Sequence, residues 1–600
     1  TQETAAFGND LSTLPSFPAE IRAPQGTLPG VSSFQLHFAD HDILTPGDRP
    51  DVLVAMNPAA LKANIGDLRP GGTVIVDSHD FTKRNLSKAG YASSPLEDDS
   101  LEDFGVHPLD LTGMTVEAVA GFGLSRKDAQ RAKNMFALGL LSWMYGRPIE
   151  GTIDFIETKF AGDPTIRDAN VTAFRTGWNY GETTEAFAVS YEVKPAQVPS
   201  GRYRNITGNL ALAYGIVAAG QRSGLGVFLG AYPITPASDI LHELSKHKNF
   251  GVTTFQAEDE IAGIGAALGA SFGGSLAVTT TSGPGIALKS ETIGLAVMLE
   301  LPLVVVDVQR GGPSTGLPTK FEQSDLLQAM FGRNGESPVP VVAPRSPSDC
   351  FDAALEAARI AVTYRTPVML LSDGYLANGS EPWRLPDVDE LPVIEPGFAT
   401  GPNHTDGAAD GDGEPQHTFR PYLRDETTLA RPWAPPGVAG LEHRVGGLEK
   451  ADGTGNISYD PANHDLMVHT RQARIDRIAD TIDPLEVDDP SGAARILLVG
   501  WGSTYGPIGA GVRAARAEGI DVAQVHLRHL NPFPANLGDI LGAYEKVIVP
   551  EMNLGQLRML LRAKYLVDAE GYNKVRGMPF GSDEITETIT QAAKSLEDLR

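Results

Sequence analysis

The chain has 600 residues and a net charge of −26, and at this length we expect about three domains rather than one core. The excess of acidic residues argues against a nucleic-acid partner or an anionic membrane, and no apolar run is long enough to span a membrane. The single cysteine, Cys350, can form no internal disulfide, so we expect a cytoplasmic protein. One cysteine also cannot hold an iron–sulfur cluster, so a cluster that serves this protein would lie outside this chain.

The first α/β stretch covers residues 1–190. Strands are predicted at residues 33–38, 51–55 and 73–77, and helical periodicity predicts a helix at 125–145. The opening residues, TQETAAFG, are typical of the middle of a helix, so we expect a native N-terminus to be missing. A proline-containing segment at 193–204 is predicted to be a linker.

Residues 205–385 carry the clearest pattern. Apolar, β-branched-rich strands are predicted at 225–231, 252–255, 276–280, 303–308, 339–342 and 368–371. Helices are predicted between them, at 258–271, 286–299, 323–331 and 347–363. Strands that are apolar throughout and alternate with helices predict a doubly wound parallel sheet covered on both faces.

The pattern stops at residue 386, and residues 386–460 are rich in proline, glycine and acidic residues. Residues 401–414 contain no large apolar side chain, so we expect a long surface excursion, closed by a helix at 467–482. A third α/β stretch, residues 491–600, begins with the strand ILLVGWG and continues with a helix near 507–517, the strands VAQVHL and KVIVPE, and a helix at 554–565.

The segment GAYPITPASD, Gly230 to Asp239, follows the first apolar strand of the second stretch. Ligands of parallel sheets bind where strands end, and Thr235 offers a hydroxyl at that edge. The alternative is an ordinary strand-to-helix turn in which Ser238 caps the helix.

Three acids open the next helix, in the segment FQAEDEIAGIGAALGAS. The charge of Glu258 and Asp259 is explained by the positive end of the helix dipole. Glu260 is the stronger candidate for a functional residue. Ile261 and Ile264 follow it, and we expect them to place the first turn of the helix against apolar surroundings. A carboxyl group there can share a proton with a ligand nitrogen, and the small residues that follow let the helix pack closely.

Two further strand ends carry candidate residues. In TTTSGPGIALKSE, Thr279 to Glu291, glycines and hydroxyl side chains could approach a ligand through backbone amides. In VQRGGPSTGLPTKFEQSDL, Arg310 could grip a carboxylate through two parallel hydrogen bonds, and Thr319 could add a donor. The alternative is a structural arginine that pairs with Glu322 or Asp325.

Metal motifs are weak in this chain. The GDG at Gly411–Gly413 is like the start of a magnesium–diphosphate motif but lacks the preceding strand and the following asparagines. The 13 histidines form no cluster at zinc spacing. We therefore expect no metal ligand in this chain.

Taken together, YPITPASD, AEDEIAGIGAALGAS, TSGPG and QRGGPSTGLPT resemble, in order and spacing, the α subunit of 2-oxoacid:ferredoxin oxidoreductases. HLNPFP and PEMNLGQL, farther along the chain, are similar to that family's C-terminal domain, and the N-terminal region resembles its γ domain. The likeness covers nearly the whole chain, and residues 400–460 are its least typical part.

The resemblance implies an α/β fold in four parts. These are a γ-type domain (1–190), a doubly wound, pyrimidine-type domain that binds thiamine diphosphate (205–385), an acidic linker (386–490) and a transketolase C-terminal-like domain (491–600).

The resemblance also implies site residues. Glu260 would be the catalytic residue that pairs with the aminopyrimidine ring of thiamine diphosphate. The cofactor would also contact Tyr232, Pro233, Ile234, Ser282 and Gly283. The 2-oxoacid would be held by Thr235, Arg310 and Thr319.

The implied reaction is the oxidative decarboxylation of a 2-oxoacid with coenzyme A, with ferredoxin as electron acceptor. 2-Oxoglutarate is favoured from likeness to subunits that fuse the γ and α parts. Mg²⁺ and a [4Fe–4S] cluster would lie in a separate β subunit of an α2β2 heterotetramer.

Three alternatives stay open. Pyruvate or a branched-chain 2-oxoacid could replace 2-oxoglutarate. A non-catalytic assembly subunit would have no use for Glu260, Thr235 and Arg310 together. A transketolase-like enzyme would need basic residues that bind a sugar phosphate, and Arg310 is the one convincing candidate.

Overall fold

A computed structural model describes residues 1–18, 23–24, 26–184, 190–406 and 416–598 of the chain. The chain divides into two compact units, one formed by Thr1–Asn205 with Ser380–Leu385 and the other by Ile206–Gly379 with Pro386–Arg600. The GDG motif at Gly411–Gly413 lies outside the described residues.

The first unit combines an antiparallel strand pair with a parallel sheet of three strands. Its strands are β1 (Asp10–Ser16), β2 (Ser33–Ala39), β3 (Val52–Ala55), β4 (Thr73–Asp77) and β5 (Gly105–Leu109). Its helices are α1 (Gln2–Ala6), α2 (Pro58–Asn64), α3 (Lys83–Lys88), α4 (Leu111–Ala118), α5 (Arg126–Arg131), α6 (Lys133–Met144), α7 (Glu150–Lys159) and α8 (Pro164–Thr184). The three predicted strands correspond to β2, β3 and β4, whereas the predicted helix at 125–145 is divided into α5 and α6.

The core of the first unit lies between its parallel sheet and its helices. Ile75 of β4, Leu111 of α4 and Phe136 of α6 are fully buried in one apolar cluster. Since β4 is the central strand of the sheet and its apolar side chains lie on both faces, helices cover it from both sides.

The second unit contains the other two predicted α/β stretches. Its helices are α9 (Gly208–Ser223), α10 (Ser238–Leu244), α11 (Glu260–Phe272), α12 (Gly283–Leu299), α13 (Leu326–Phe331), α14 (Cys350–Tyr364), α15 (Gly374–Asn378), α16 (Pro461–Asp476), α17 (Tyr505–Ala517), α18 (Leu537–Gly542), α19 (Gln556–Tyr565) and α20 (Ser582–Asp598). The strands after β5 are β6 (Tyr203–Thr207), β7 (Val227–Ala231), β8 (Val252–Gln256), β9 (Leu276–Thr281), β10 (Leu303–Gln309), β11 (Val341–Val342), β12 (Pro367–Asp373), β13 (Ser380–Arg384, in the first unit), β14 (His404–Asp406), β15 (Gln416–Thr418), β16 (Ile496–Trp501), β17 (Val522–Leu527), β18 (His529–Asn531), β19 (Lys546–Glu551) and β20 (Ala569–Asn573).

A seven-stranded sheet organises the second unit, in the order β18-β11-β12-β10-β9-β7-β8. The strands from β7 to β12 run parallel, and β18 pairs antiparallel with β11. Every residue of β10 and β12 is buried, because helices cover both faces of the sheet. The predicted doubly wound α/β fold is confirmed.

Helix α11 lies close against β7. A methyl group added at Gly230 of β7 would overlap the carbonyl oxygen of Gly263 in α11. The absence of side chains at these two positions therefore lets the helix backbone approach the sheet backbone, as the sequence predicted for the small residues of α11.

The C-terminal part forms a parallel sheet in the order β17-β16-β19-β20. Its motif HLNPFP leaves this sheet, and β18 joins the seven-stranded sheet instead. The Asn531 amide donates to the Val339 carbonyl at 2.7 Å, and His529 lies 2.8 Å from the Glu356 carboxylate. The motif therefore fixes the C-terminal part to the seven-stranded sheet beside β11.

The surface excursion expected for residues 386–460 is wrong for part of the segment. Tyr422 and Trp433 are buried, and the Trp433 indole donates to the Ser271 carbonyl at 3.2 Å. The segment packs with few apolar residues because large aromatic side chains and buried ion pairs attach it to the domain. The closing helix, α16, begins at Pro461, where the Asp460 carboxylate caps it.

Glu300, which ends α12, is the centre of that anchoring. Its buried carboxylate accepts two hydrogen bonds from Arg424, at 2.7 and 2.6 Å, and contacts the Arg474 guanidinium. Burial alone would raise the pKa of Glu300, but the charges of Arg474 and Arg424 outweigh burial and lower the pKa to about 2.

Within the described ranges, none of the helices has the length and apolar composition that a membrane span requires.

Candidate active site

The predicted site segments follow four neighbouring strands of the seven-stranded sheet. The turn that begins at Tyr232 follows β7, Glu260 comes after β8, Ser282 after β9 and Arg310 after β10. These strands are parallel and adjacent, so their carboxyl ends form one edge of the sheet, which we call the carboxyl edge. The order of strands reverses between β7 and β9, and at such a reversal a crevice opens that binds ligands in α/β proteins.

The turn after β7 is held by its own backbone. The Ile234 carbonyl accepts hydrogen bonds from Ala237 N and Ser238 N, at 2.8 and 3.1 Å. Helix α10 has Ala237 as its N-cap and no side-chain cap, so the alternative in which Ser238 caps the helix is wrong. Thr235 and Tyr232 are exposed at the carboxyl edge, where a ligand can reach them.

Glu260 is the first residue of α11 and is half-buried. Its neighbour Asp259 is the cap, since Asp259 Oδ1 accepts from Ala262 N at 2.8 Å. A structural role at the start of the helix therefore explains Asp259, whereas Glu260 has no capping role. The Glu260 side chain lies instead against the turn after β9, where a methyl group at Gly285 would come within 3.0 Å of its Cγ.

The turn after β9 offers buried polar groups to a ligand. Ser282 precedes α12, yet its side chain does not cap the helix, and its buried hydroxyl oxygen has no hydrogen-bond partner among the described residues. A methyl group at Gly283 would lie 2.6 Å from Asp325 Oδ2, so no side chain larger than hydrogen fits there. A buried, unpartnered hydroxyl of this kind is expected to be satisfied by a ligand.

Arg310 is buried and lies against the turn after β7. Its Nη1 donates to the Thr235 carbonyl at 2.8 Å, and its Nε is buried with no partner among the described residues. Burial lowers the pKa of Arg310, and the charge of Asp325 opposes that shift. The predicted structural pairing is wrong in its geometry, because the direct partner of Arg310 is a carbonyl and not a carboxylate of Glu322 or Asp325.

Thr319 lies on the loop that Arg310 opens. The loop folds back on itself, since Gly311 N donates to the Lys320 carbonyl at 2.8 Å and Lys320 N to the Leu317 carbonyl at 3.0 Å. Lys320 pairs with Gly311, the residue that follows Arg310. Thr319, which precedes Lys320, is therefore on the arm of the loop that faces Arg310. Two of the three predicted substrate-binding residues, Arg310 and Thr319, are thus on facing arms of one closed loop.

Two buried carboxyl groups lie behind this loop. Burial and the charge of Asp325 raise the pKa of Asp307 well above its ordinary value. Burial also raises the pKa of Asp325, to about 6. Burial and their mutual repulsion thus both oppose ionisation of the two carboxyl groups together.

The C-terminal motif PEMNLGQL clamps the loop from the other side. The Asn553 amide donates to the Gln323 carbonyl at 2.7 Å, and the Gln323 amide donates to the Trp501 carbonyl at 2.7 Å. Gln556 adds a bond from its amide to the Ser324 carbonyl at 2.7 Å. The clamp therefore fixes the far end of the loop that carries Arg310.

Sequence reasoning missed three parts of this region. The first is the pair of buried acids, since Asp307 lies within the apolar strand β10 and Asp325 lies just before α13. No local pattern indicates that these two residues lie close together. Lys289 of α12 is fully buried, and the predicted helix at 286–299 gave no sign of that burial. The clamp joins residues more than 200 positions apart, such as Gln323 and Asn553, and no local pattern carries that information.

The described residues contain no group of histidine, cysteine and acidic side chains that could hold a metal ion.

Comparison with known protein families gives one consistent result. Residues 220–459 match the model described as pyruvate flavodoxin/ferredoxin oxidoreductase, thiamine diP-bdg. Residues 4–180 match pyruvate ferredoxin/flavodoxin oxidoreductase, and residues 494–586 match pyruvate:ferredoxin oxidoreductase core domain II.

Individual relatives agree along the full chain. The chain is 66% identical over 592 residues to 2-oxoglutarate oxidoreductase subunit KorA of Mycobacterium tuberculosis, covering 99% of this chain and 88% of the relative. It is 31% identical over 597 residues to 2-oxoacid:ferredoxin oxidoreductase 2, subunit alpha, of Aeropyrum pernix, covering 91% of this chain and 88% of that one. A solved structure of 2-oxoglutarate:ferredoxin oxidoreductase from Magnetococcus marinus, with 2-oxoglutarate, coenzyme A and succinyl-CoA bound, superposes with a TM-score of 0.83. Their identity is 32%, and the match covers 98% of this chain and 95% of that chain.

Proposed function

This chain belongs to the family of 2-oxoacid:ferredoxin oxidoreductases as an α-type subunit, and on that premise we propose that it oxidises 2-oxoglutarate with coenzyme A to succinyl-CoA and carbon dioxide, with ferredoxin as electron acceptor. The observation that carries the proposal is that Glu260, Ser282 and Arg310 each follow a parallel strand (β8, β9 and β10) whose carboxyl end lies at the carboxyl edge. 2-Oxoglutarate is supported by the name of the Mycobacterium tuberculosis relative and by the ligand in the Magnetococcus marinus structure.

The carboxyl edge fits thiamine diphosphate. The unpartnered Ser282 hydroxyl, the side-chain-free Gly283 and the exposed Tyr232 offer polar and aromatic surface around Glu260. With Pro233 and Ile234, these residues would hold the cofactor. When bound, thiamine diphosphate supplies the nucleophilic carbon that decarboxylation of a 2-oxoacid requires.

Glu260 is the proton-handling residue of the proposal. Its carboxyl group extends from the first turn of α11, free of the capping role that Asp259 fills. A carboxyl group there can hold a proton shared with a ring nitrogen and return it within the same turnover.

Arg310 and Thr319 would bind the substrate carboxylate, and Thr235 the 2-oxo group. A guanidinium that keeps a buried N–H unpaired can donate it to a ligand, and a charged partner makes that bond stronger than a neutral one does. The Thr235 carbonyl fixes the guanidinium, so its remaining N–H groups are oriented before substrate arrives.

A partner subunit completes the proposal. One cysteine cannot ligate an iron–sulfur cluster, so we assign the [4Fe–4S] cluster, and Mg²⁺ with the diphosphate, to a β subunit in an α2β2 complex. The single cysteine also fits a cytoplasmic location. We further propose domain boundaries at residues 1–190, 205–385, 386–490 and 491–600.

The test is substrate selection by the co-expressed α–β complex. We expect reduction of a low-potential viologen that requires 2-oxoglutarate, coenzyme A and thiamine diphosphate, with the isolated chain inactive. kcat/KM should be highest for 2-oxoglutarate among pyruvate, branched-chain 2-oxoacids and sugar phosphates. A clear preference for pyruvate would overturn the substrate, and a cluster-containing complex inactive on every 2-oxoacid would support an assembly subunit.

A further inference from the structure

Lys289 is a fully buried lysine that the proposed reaction does not use. It lies on α12, and its ammonium donates to the Glu260 carbonyl at 2.8 Å and to the Thr279 hydroxyl at 3.0 Å. Both acceptors are neutral oxygens. Within the part of the chain that the structure describes, Lys289 forms no salt bridge.

A buried, unpaired ammonium reduces stability unless something else requires it. Burial lowers the pKa of Lys289 to about 8, while the charges of Glu260 and Asp259 act in the opposite direction. The ammonium is therefore still the main form at neutral pH, at a cost that an apolar side chain of the same length would avoid. Packing alone gives no reason for a lysine at this position.

We propose that Lys289 is a positioning residue for Glu260, whose backbone it anchors and whose carboxylate charge it balances. The anchor acts on the first turn of α11, the turn from which the Glu260 side chain extends. The balance is electrostatic, because the negative charges of Glu260 and Asp259 act on the buried ammonium of Lys289. This inference rests on the proposed function and adds a residue to its machinery.

Glu260 is the group that this arrangement serves. Its side chain lies against Gly285, and Lys289 follows Gly285 by one helical turn on the same helix. Helix α12 thus contacts Glu260 twice, through a position without a side chain and through an ammonium. The first leaves room for the carboxyl group, and the second fixes the backbone that carries it.

The test replaces the charge and keeps the shape, with Lys289→Met in the co-expressed complex. We expect an unchanged or higher midpoint of thermal unfolding without cofactor, because an unpaired buried charge is removed. We expect kcat to fall roughly tenfold or more, with the KM for 2-oxoglutarate unchanged within about twofold. Calorimetric titration of thiamine diphosphate should give a weaker Kd, by several fold.

Two further variants separate the explanations. Lys289→Gln keeps a hydrogen-bond donor without the charge, so a kcat as low as that of Lys289→Met would assign the effect to charge. Lys450→Met is the matched control, since Lys450 is also buried, also donates to a carbonyl (Leu448, 2.8 Å) and also has its pKa lowered to about 8 by burial. Lys450 lies in the acidic linker (386–490), and we expect the kcat of Lys450→Met to stay at the wild-type value.

The outcomes are distinct. If the wild-type complex is active and Lys289→Met keeps wild-type kcat and cofactor affinity, the positioning role is overturned. A loss of kcat that is matched by a lower thermal midpoint would likewise reduce Lys289 to a structural residue. If the wild-type complex oxidises no 2-oxoacid, the proposed function fails, and the thermal midpoint and cofactor affinity still decide the role of Lys289.

Discussion

Two groups of buried charges in the second unit differ in how they are paired. Around Glu300, the carboxylate meets Arg424 and Arg474, so every charge faces an opposite one. At the carboxyl edge, Lys289 and Arg310 donate to neutral oxygens, and neither forms a salt bridge among the described residues. Paired buried charges fix a conformation, whereas unpaired ones reduce stability and are typical of sites that bind or transform a ligand.

The paired group explains how residues 416–482 are attached to the rest of the second unit. Glu300 ends α12 with a positive φ of 51°, and its two arginines come from the inserted segment and from α16. The ion pairs therefore attach residues 416–482 to the domain that carries the site. The unpaired group, in contrast, lies where four strands end and bonds to backbone carbonyls of the predicted site, those of Glu260 and Thr235.

The largest effect is expected from Glu260→Gln, which keeps size and hydrogen bonding but removes the ionisable proton. Turnover of the complex should fall about 10²- to 10⁴-fold, the range for loss of acid–base catalysis. The thermal midpoint should not change, because Asp259 and not Glu260 caps α11. Glu258→Gln, at the exposed neighbouring position, is the control and should keep full turnover; a fully active Glu260→Gln complex would remove Glu260 from the mechanism.

The second effect concerns the paired group. Arg474→Met should lower the free energy of unfolding by about 3–5 kcal/mol, because it removes one of the two charges that neutralise buried Glu300. Arg495→Met breaks an exposed pair with Glu545 and should cost no more than about 1 kcal/mol. Urea denaturation of both variants checks the difference, and equal losses would mean that burial does not distinguish these pairs.

The third effect is a pH dependence. The folded-state pKa of Lys289 is lowered to about 8 from 10.5, so between these values the unfolded chain binds more protons than the folded one. The stability of the wild type should therefore rise relative to Lys289→Met as pH increases from about 8 to 10.5, by up to roughly 3 kcal/mol. Thermal midpoints measured across that window test the sign, and parallel curves for the two proteins would contradict it.

The smallest effect is expected at the clamp. Asn553→Ala removes the bond to the Gln323 carbonyl, which should cost about 1–3 kcal/mol and raise the KM for the 2-oxoacid severalfold as the loop of Arg310 loosens. Asn536→Ala is matched, because Asn536 makes two bonds to the Leu485 backbone at 3.0 Å each. It should be destabilised similarly with unchanged KM, and an equal KM rise in both variants would argue against a loop-specific role.

The sequence predicted the parts of the fold that rest on local pattern. Apolar runs predicted β7 to β10 and β12 within a few residues, because fully buried parallel strands are apolar throughout. Strand β20 was not predicted, since AEGYN has neither alternation nor β-branched residues, and it pairs through its backbone. The place of β18 in the larger sheet was also missed, because pairing over long sequence separations leaves no local signal.

The site was predicted in the same uneven way. Glu260 and Arg310 were singled out because each follows a predicted strand, whereas Ser282 and the roles of all three came from the resemblance to the family and stay predictions. The meeting of Arg310 with the Thr235 carbonyl could not be predicted, nor could the burial of Lys289. These depend on which helix covers which strand, a property of tertiary packing rather than of pattern.

The most direct test measures kcat and the thermal midpoint side by side for Arg310→Met and Arg474→Met in the co-expressed complex. The paired and unpaired groups predict opposite results. Arg310→Met should lose kcat/KM for 2-oxoglutarate by at least about 100-fold at an unchanged midpoint, and Arg474→Met should lower the midpoint and keep the kcat of the folded enzyme. If both variants lose activity and stability together, the buried charges of the carboxyl edge are structural and the site lies elsewhere.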